Sequence, residues 1–526
     1  MLLRTLHVRP ISVLAAFALI VSAAGVAFLL FNRGDTQNQQ RANAARAAAL
    51  AETGLPGAFL AEYRRSTPPG WAVTISPLEA QTLKVIEAPE PLDLGLQGGA
   101  LVSPDGKRMA LSGWESHPGE AFLIAPAGAI TIFDVEGWRP VASFETTDGV
   151  SPAGWNEDGP LLYAARNFCA APASEGACPG GWKRELWILD VEQPADPLVV
   201  PLDFESGRWH FHQDRAVTLG VRTDTCCGID PQGEPFVTVV NVRSGEIEAE
   251  IEISGMLIGQ PGHLLGDTTM YASYHPATAL SADGSRLYVV DPVEDSVRVV
   301  DLETLTAGAP IDFGEKRSSL SRFGSWLASQ VIGTAHAKGN PTYSRQAQVT
   351  PDGRYLVISG TQAHEEETED ANRRWTDRPA GLVVIDLETM EVVLREPDVA
   401  WLNLSPDGRR VLATGYYYDE TLMDEDGLGG LVAFGLKVID LQSLDVVAHL
   451  WPDAEVSLAA LSPDSRYAYV RSDGPGLEAL RRTPPPKPEC GPDCWLVHVV
   501  DLQSGEVIAT RPLSENEGII SLVSLH

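Results

Sequence analysis

Positive charge is scarce in this sequence. Of its 526 residues, 39 are Lys or Arg and 71 are Asp or Glu, which gives a formal net charge of −32. Binding to nucleic acid or to anionic lipid headgroups needs clustered basic residues, so we expect neither kind of partner. The main interpretation of the acidic surface is that it keeps the protein soluble. The alternative is a site for a divalent cation such as calcium.

Several catalytic signatures are also absent. The sequence has no H-E-x-x-H, no G-x-S-x-G, no P-loop and no C-x-x-C-H. These motifs mark zinc proteases, α/β-hydrolases, nucleotide-binding enzymes and covalent haem sites. The sequence therefore favours a binding or scaffold module over an enzyme, although the substrate or partner cannot be deduced from it.

The sequence has one long apolar run, which lies near the N-terminus. The stretch from Ile11 to Phe31 carries no charge and follows Arg4 and Arg9. At about 1.5 Å per residue it spans a hydrocarbon core of about 30 Å. We predict a cytoplasmic tip and transmembrane anchor over residues 1–32, with the remaining chain on the extracytoplasmic side. The alternative is a signal peptide cleaved near Val21-Ser22-Ala23, which would release a secreted protein.

The next segment, residues 33–70, is predicted to be a spacer. Its part from Gln39 to Glu52 is rich in alanine and favours a helix, which Pro68-Pro69-Gly70 would end.

The remainder of the chain is a series of repeats. Apolar runs end in an acidic or amide residue at Asp134, Asp190, Asn241, Asp301, Asp386, Asp440 and Asp501. A turn such as Ser281-Ala282-Asp283-Gly284 or Ser405-Pro406-Asp407-Gly408 precedes most of these runs. Such turns connect hairpins, because Pro presets φ and Gly accepts a left-handed conformation. Short strands at a period above about 40 residues predict an all-β fold, a seven-bladed β-propeller over residues 71–526.

A resemblance supports this interpretation. The pattern Tyr288-Val289-Val290, followed by Val297-Arg298-Val299-Val300-Asp301-Leu302, resembles the YVTN/WD40-like propellers of bacterial extracytoplasmic proteins. The resemblance covers roughly residues 95–526. Members of that superfamily include lactonases, amine dehydrogenase heavy chains, surface-layer proteins and binding scaffolds. The resemblance thus implies the architecture and leaves the activity open.

The cysteines agree with an extracytoplasmic location. They fall in pairs, each predicted to lie between the second and third strands of a blade: Cys169 and Cys178, Cys226 and Cys227, Cys490 and Cys494. We expect disulfides rather than a zinc site, because the spacings are not those of C-x-x-C pairs. Cys490 is predicted to pair locally with Cys494. The other four allow either local pairs, with a vicinal Cys226–Cys227 bond, or links between the two loops.

Insertions point to one working face. The fourth repeat is much shorter between its first turn and its closing residue than the other repeats, so their extra residues belong to the loops between second and third strands. The long interval between the closing residues Asp301 and Asp386 adds Gly314–Ser344, with an amphipathic helix expected around Ser319–Val331. In a four-stranded meander these loops share one side with the connections between blades. We expect any ligand or partner there, at the mouth of the channel.

Four segments are candidates for binding a metal ion or a ligand on that face. For each of them, solvation or packing is the alternative interpretation. Two acidic runs, His364–Asp370 and Asp419–Gly427, offer oxygen ligands for calcium or are solvated loops. Trp209-His210-Phe211-His212 has metal-compatible histidine spacing, or else packs its rings. Tyr416-Tyr417-Tyr418 offers a stacking surface for a sugar or peptide, or else packs in the core.

Three functions follow. The favoured one is a membrane-anchored propeller that binds a protein or envelope component through its loop-rich face. The first alternative is a metal-dependent hydrolase of the lactonase type. The second is a propeller subunit of a redox enzyme, suggested by the vicinal Cys226-Cys227 and by the resemblance.

Overall fold

The structure is a computed structural model that describes residues 58 to 521 apart from internal segments, the longest being 115–127, 170–181, 224–230, 315–336 and 473–494. Every regular element in the described part is a β-strand, so the all-β prediction is confirmed. The described residues form no apolar helix long enough to cross a bilayer. The predicted anchor Ile11–Phe31 and the predicted helix Ser319–Val331 both lie outside them.

The seven repeats form seven antiparallel sheets in chain order, which confirms the propeller of seven repeat blades. Three strands, β1 Ala58–Ser66, β2 Gly70–Leu78 and β3 Leu92–Leu94, come before the first blade. Blades one to three consist of β4 Ala100–Val102, β5 Arg108–Trp114, β6 Gly128–Asp134 and β7 Arg139–Thr146; β8 Val150–Trp155, β9 Leu161–Cys169, β10 Trp182–Asp190 and β11 Leu198–Leu202; and β12 Glu205–His212, β13 Arg215–Arg222, β14 Gln232–Asn241 and β15 Ile247–Glu252.

Blades four and five carry additional strands. A hairpin of β16 Gly262–Leu265 and β17 Thr268–Tyr271, then β18 Ser273–His275, precede blade four, which is β19 Ala277–Leu280, β20 Arg286–Val290, β21 Ser296–Asp301, β22 Thr306–Ala307 and β23 Ile311–Asp312. After β24 Ala337–Lys338, blade five is β25 Thr342–Val349, β26 Tyr355–Glu367, β27 Arg373–Pro379, β28 Leu382–Asp386 and β29 Glu391–Glu396.

The last two blades complete the series, and one further strand follows them. Blade six is β30 Val399–Leu404, β31 Arg410–Met423, β32 Gly429–Asp440 and β33 Asp445–Leu450; blade seven is β34 Val456–Leu461, β35 Tyr467–Ser472, β36 Trp495–Asp501 and β37 Glu506–Leu513; the last strand is β38 Glu517–Ser521.

The two ends of the described chain pair with each other in a further four-stranded sheet. Its order is β3-β2-β1-β38, with Leu60 opposite Ile519, and Leu60 and Leu78 pack against Tyr469 of blade seven. The structure thus joins the two ends of the described chain in one sheet. Because β1 lies within the predicted spacer, residues 33–70, this sheet starts before residue 71.

The turns between the first and second strands of blades four to seven have the conformation that the sequence predicted. The first residue accepts the N–H of the residue five positions later and donates to the third residue, as in Ser281 Oγ to Asp283 Oδ1 at 2.6 Å. The fourth residue is left-handed, with φ of 70° at Gly284 and 69° at Gly408. Ser465 takes this position in blade seven at φ 61°, and its hydroxyl accepts the N–H of Asp407 from blade six.

The closing residue caps the turn between the third and fourth strands in blades two to seven. Its Oδ1 accepts the N–H groups two and three positions later at Asp190, Asn241, Asp301, Asp386, Asp440 and Asp501. A short acceptor side chain is needed there, and both Asp and Asn satisfy the need. This explains why the closing residue of every repeat is either Asp or Asn.

Asp301 makes the cap sensitive to acid. The Thr304 N–H, the Thr304 hydroxyl and the Glu303 N–H hold the pKa of Asp301 below its usual range. A carboxyl group whose pKa is lower in the folded protein than in the unfolded chain stabilises the fold. This contribution is complete above the pKa of the unfolded chain, about 3.9, and is lost as the pH falls through the pKa of the folded protein. We expect Asp301→Asn to keep the cap, as Asn241 does, and to lose this dependence.

The measurement is the thermal midpoint of wild type minus that of the Asp301→Asn variant between pH 6 and pH 2. The difference should stay constant at higher pH and fall below about pH 4. Asn241→Asp is the reciprocal variant and should acquire the acid dependence. A difference that does not change with pH would contradict the assignment.

Blade interfaces combine apolar packing with ion pairs. Blades that follow each other in the chain share a cluster of buried aliphatic and aromatic side chains, as where Val237 and Val239 of blade three meet Leu287 and Val289 of blade four. Ion pairs bridge between blades at Arg184–Glu205, Arg345–Asp295 and Lys437–Glu396. The interfaces hold the blades as a rigid support for the loops.

Candidate functional site

The topology defines two ends of the propeller. The first strands of blades one to six contact one another in turn, which places first strands around the channel. The antiparallel order then puts the links between second and third strands on the same end as the links between blades. We call this end the loop-rich face.

Two long hairpins rise from the loop-rich face at blades five and six. In blade five, β26 extends beyond its pairing with β28 to pair with β27, from Thr361 opposite Pro379 to Glu367 opposite Arg373. In blade six, β31 and β32 continue their pairing to Met423 opposite Gly429. The two hairpins contact each other through β27 and β31. They form a raised wall beside the channel mouth.

Glycines form the joints at which these hairpins leave the blades. Gly360 and Gly381 lie at the junction in blade five, and Gly415 and Gly435 lie at the register shift in blade six. A Cβ at Gly360 would meet the Ser344 carbonyl oxygen, and one at Gly415 would meet the Asp398 carbonyl oxygen. The backbones approach too closely for any side chain. The recurrence of glycine within second strands is the sequence signal that marks these joints.

The connection between blades three and four is attached to blade five. Gly259 pairs with Tyr274 by two backbone hydrogen bonds of 2.8 and 2.9 Å, and β18 pairs in parallel with the start of β25. The rings of Tyr274 and Tyr343 stack at 5.3 Å between centroids. The connection is thereby joined to the inner strand of blade five at the loop-rich end.

Among the described residues, three large side chains on or beside first strands are open to solvent: Arg208, His275 and Trp401. Arg208 lies in a bulge of β12 between Ser206 and Trp209, and Trp401 follows the bulge of β30 with 47% of its surface exposed. Bulges redirect side chains, here away from the blade interface. Because first strands border the channel, the solvent that these groups meet is that of the channel mouth.

Burial lowers the pKa of two of these groups. Although the Arg208 side chain meets solvent, its partial burial lowers the pKa of Arg208 to about 10. The guanidinium therefore keeps its charge at neutral pH. Burial also lowers the pKa of His275, so its imidazole is neutral there. The mouth therefore offers a cation, a neutral imidazole and, at Trp401, a flat apolar ring. The sequence prediction missed all three residues.

The histidine pair is engaged in packing between blades. Trp209 and Phe211 pack in the cluster shared with blade two, whereas His210 Nε2 lies 2.8 Å from Thr278 Oγ1 of blade four. His212 lies against Gly284, where a Cβ would contact its ring. Among the described residues, no group of three or more His, Cys, Asp or Glu side chains is placed to hold a metal ion.

The first two residues of the tyrosine run also pack within the protein. Tyr416 is buried, with its ring 5.8 Å from that of Trp401, and Tyr417 packs against the cluster between blades five and six.

The two acidic runs belong in part to the raised hairpins. Residues 364–367 lie in β26, and Asp419 and Glu420 lie in β31, so these residues are in strands rather than in open loops. Asp424, Glu425 and Asp426 of the second run lie outside the described residues. The calcium interpretation of the runs stays a prediction.

The predicted disulfides fall mostly outside the described residues. Cys169 ends β9, and in chain order all six cysteines stand at or within links between second and third strands, as expected. The other five, Cys178, Cys226, Cys227, Cys490 and Cys494, are outside the described residues. Their pairing stays a prediction.

No protein-family description matches the sequence, and no curated protein does. The resemblance to YVTN/WD40-like propellers thus stays a prediction at the level of the superfamily.

Solved structures show limited similarity. Dihydro-heme d1 dehydrogenase NirN in complex with DHE aligns with a TM-score of 0.46 and 14% identity over 88% of this chain and 74% of its own. Hydrazine synthase of Kuenenia stuttgartiensis gives 0.32 and 14% over 80% of each chain. The periplasmic gluconolactonase PpgL of Pseudomonas aeruginosa gives 0.40 and 14% over 75% and 96%. No activity is transferred at this level, and the fold rests on the strand pairings.

Proposed function

We propose that the protein is a membrane-anchored, extracytoplasmic binding module that holds a protein or envelope component at the channel mouth of its loop-rich face. The observation that carries the proposal is the exposure of Arg208, His275 and Trp401 on or beside first strands. Trp401 belongs to blade six, which carries one of the two raised hairpins. Anchoring rests on the apolar segment Ile11–Phe31.

The chemistry of the mouth suits a group that is both anionic and flat. A guanidinium forms charge-assisted hydrogen bonds with carboxylate or phosphate, which are stronger where water is partly excluded. An exposed indole gives a large contact area at a small entropic cost and stacks on planar groups. Arg208 and Trp401 are both held by bulged first strands of a rigid ring, so binding requires little reorganisation.

Site-specific photo-crosslinking tests the proposal even though the partner is unidentified. We expect a photoreactive phenylalanine analogue at position 401 of the full-length protein, in host membranes, to give a discrete adduct. The same analogue at Val447 is the control, because Val447 is similarly exposed but lies on the last strand of blade six. Arg208→Ala should reduce the adduct at position 401. Equal adducts at both positions, or none at 401, would overturn the proposal.

The lactonase-type hydrolase is the alternative, and it predicts one tightly held divalent ion per chain and turnover that a chelator abolishes. Metal analysis of the purified protein separates the two functions. A stoichiometric ion with chelator-sensitive hydrolysis of lactones would assign the protein to the hydrolases. The redox alternative would be supported by a bound chromophore.

A further inference from the structure

The described chain enters the propeller at the face opposite the loop-rich face. We call this opposite face the turn face, because it carries the turns within blades, such as those over residues 281–284 and 301–304. The last strand of each blade ends on the loop-rich face, so β38, which follows β37 after three residues and lies beside β34, begins there and ends on the turn face. Ala58, the first residue of β1, pairs with Ser521, the last residue of β38. Ala58 therefore lies at the turn face.

An independent contact gives the same direction. Since β2 is antiparallel to β1, β2 should end at the turn face, and the connection from β2 to β3 should lie there. In that connection Gln81 Nε2 donates to the Tyr467 hydroxyl at 2.8 Å, and Leu83 packs in the cluster that contains Tyr467. Tyr467 begins β35 just after the turn between the first and second strands of blade seven. The connection thus touches the turn face, as the pairing of β1 with β38 requires.

The predicted membrane anchor is therefore tethered to the turn face. The 26 residues from position 32 to position 57 separate Phe31 from Ala58. A flexible chain of that length has an average end-to-end distance of about 28 Å, and at full extension it reaches about 86 Å. With the turn face toward the bilayer, the spacer does not need to stretch beyond this average distance.

The inverted orientation would stretch the spacer. β31 has 14 residues and runs from the turn face to the raised hairpin of blade six, which at about 3.3 Å per residue is about 46 Å. If the hairpin met the bilayer, the turn face would lie about that far from it. With the predicted helix Gln39–Glu52 formed, the spacer reaches at most about 60 Å. Inversion would therefore need most of the reach of the spacer, at a cost in conformational entropy.

We propose that the propeller stands on the membrane with its turn face toward the bilayer, so that the channel mouth and the raised hairpins open away from it. The partner held at the mouth then approaches from the aqueous extracytoplasmic side. It is neither a lipid nor a protein segment embedded in the same bilayer. This orientation rests on the anchor that the proposed function includes.

Energy transfer to lipid headgroups tests the orientation. The full-length protein is reconstituted in liposomes with an acceptor dye on their headgroups, and a donor dye is attached through an azide-bearing amino acid at one position at a time. Glu303 on the turn face and Glu294 on the loop-rich face form a matched pair, because both are exposed on blade four. Gln503 and Ser514 form the second pair, on the turn face and the loop-rich face of blade seven. Pairs on two blades separate a tilt of the ring from an inversion.

We expect transfer from position 303 to exceed that from position 294 by about twofold or more, because β21 alone, with six residues, separates the two faces by about 20 Å. Position 503 should exceed position 514 in the same way. Insertion of about 30 glycine and serine residues between Asn38 and Gln39 should reduce both differences, because a longer flexible tether no longer favours one orientation. Equal transfer within the pairs, or stronger transfer from positions 294 and 514, would overturn the orientation.

Flotation of the liposomes distinguishes a wrong orientation from a wrong anchor. Protein that floats with the liposomes but gives equal transfer within the pairs refutes the orientation and leaves the anchor intact. Protein that does not float refutes both. Binding at the mouth is decided separately, by the photo-crosslinked adduct at position 401.

Discussion

Asp295→Ala is expected to destabilise the protein by about 3 kcal/mol or more, because it leaves a charge buried without its partner. Arg345 lies on the first strand of blade five with its side chain 1% exposed, and its Nη2 is 2.9 Å from Asp295 Oδ1 of blade four. The Arg345 Nε has no hydrogen-bond partner among the described residues. Burial already lowers the pKa of Arg345, and the charge of Asp295 opposes that effect.

Urea unfolding monitored by tryptophan fluorescence measures this loss. The double variant Asp295→Ala with Arg345→Met should recover much of the stability, because an apolar side chain of similar volume replaces the buried charge. Arg243→Ala breaks an exposed pair with Asp214 and should produce no measurable change. If Asp295→Ala unfolds like wild type, the ion pair does not hold blades four and five together.

Gly435→Ala is expected to cost about 3 kcal/mol or more, with damage centred on the raised hairpin of blade six. Gly435 has φ of 80°, and a Cβ there would overlap the carbonyl oxygens of Leu450 and Trp451. Backbone atoms cannot move aside as a flexible side chain can. The strand must shift, which would also displace Tyr416 from beside Trp401.

The Gly233→Ala variant separates the energetic cost of a positive φ from the cost of steric overlap. Gly233 has a similar φ of 84°, but no described atom lies within 4 Å of a Cβ placed there. Its substitution should therefore cost only the left-handed backbone penalty, about 1 kcal/mol. Urea midpoints of the two variants give the comparison, and equal losses would show that crowding at the joint is unimportant.

The repeat architecture was predictable because its signals are local. A Ser, Asp and Gly within four residues specify the first turn, and Asp301 or Asn241 caps the last one through neighbouring N–H groups. Such interactions recur wherever the same few residues occur, so counting them counts blades. The position of the loop-rich face followed in the same way, from strand order alone.

The channel mouth was not predictable from these signals. Arg208 and Trp401 reach solvent because bulges shift the register of β12 and β30, and strict alternation along either strand does not reveal a bulge. The histidines that looked suited to metal binding instead contact blade four, since Thr278 and Gly284 come beside them only when the blades pack.

Turn chemistry, the number of repeats and the acidic character of the surface are thus properties of short stretches of chain, and they can be derived from the residue order. The pairing of the two ends through Leu60 and Ile519, the glycine joints of the hairpins and the residues that line the mouth depend on contacts between segments far apart in the chain. Those contacts form when blades pack side by side, because packing sets which backbones approach closely and which side chains are left facing solvent.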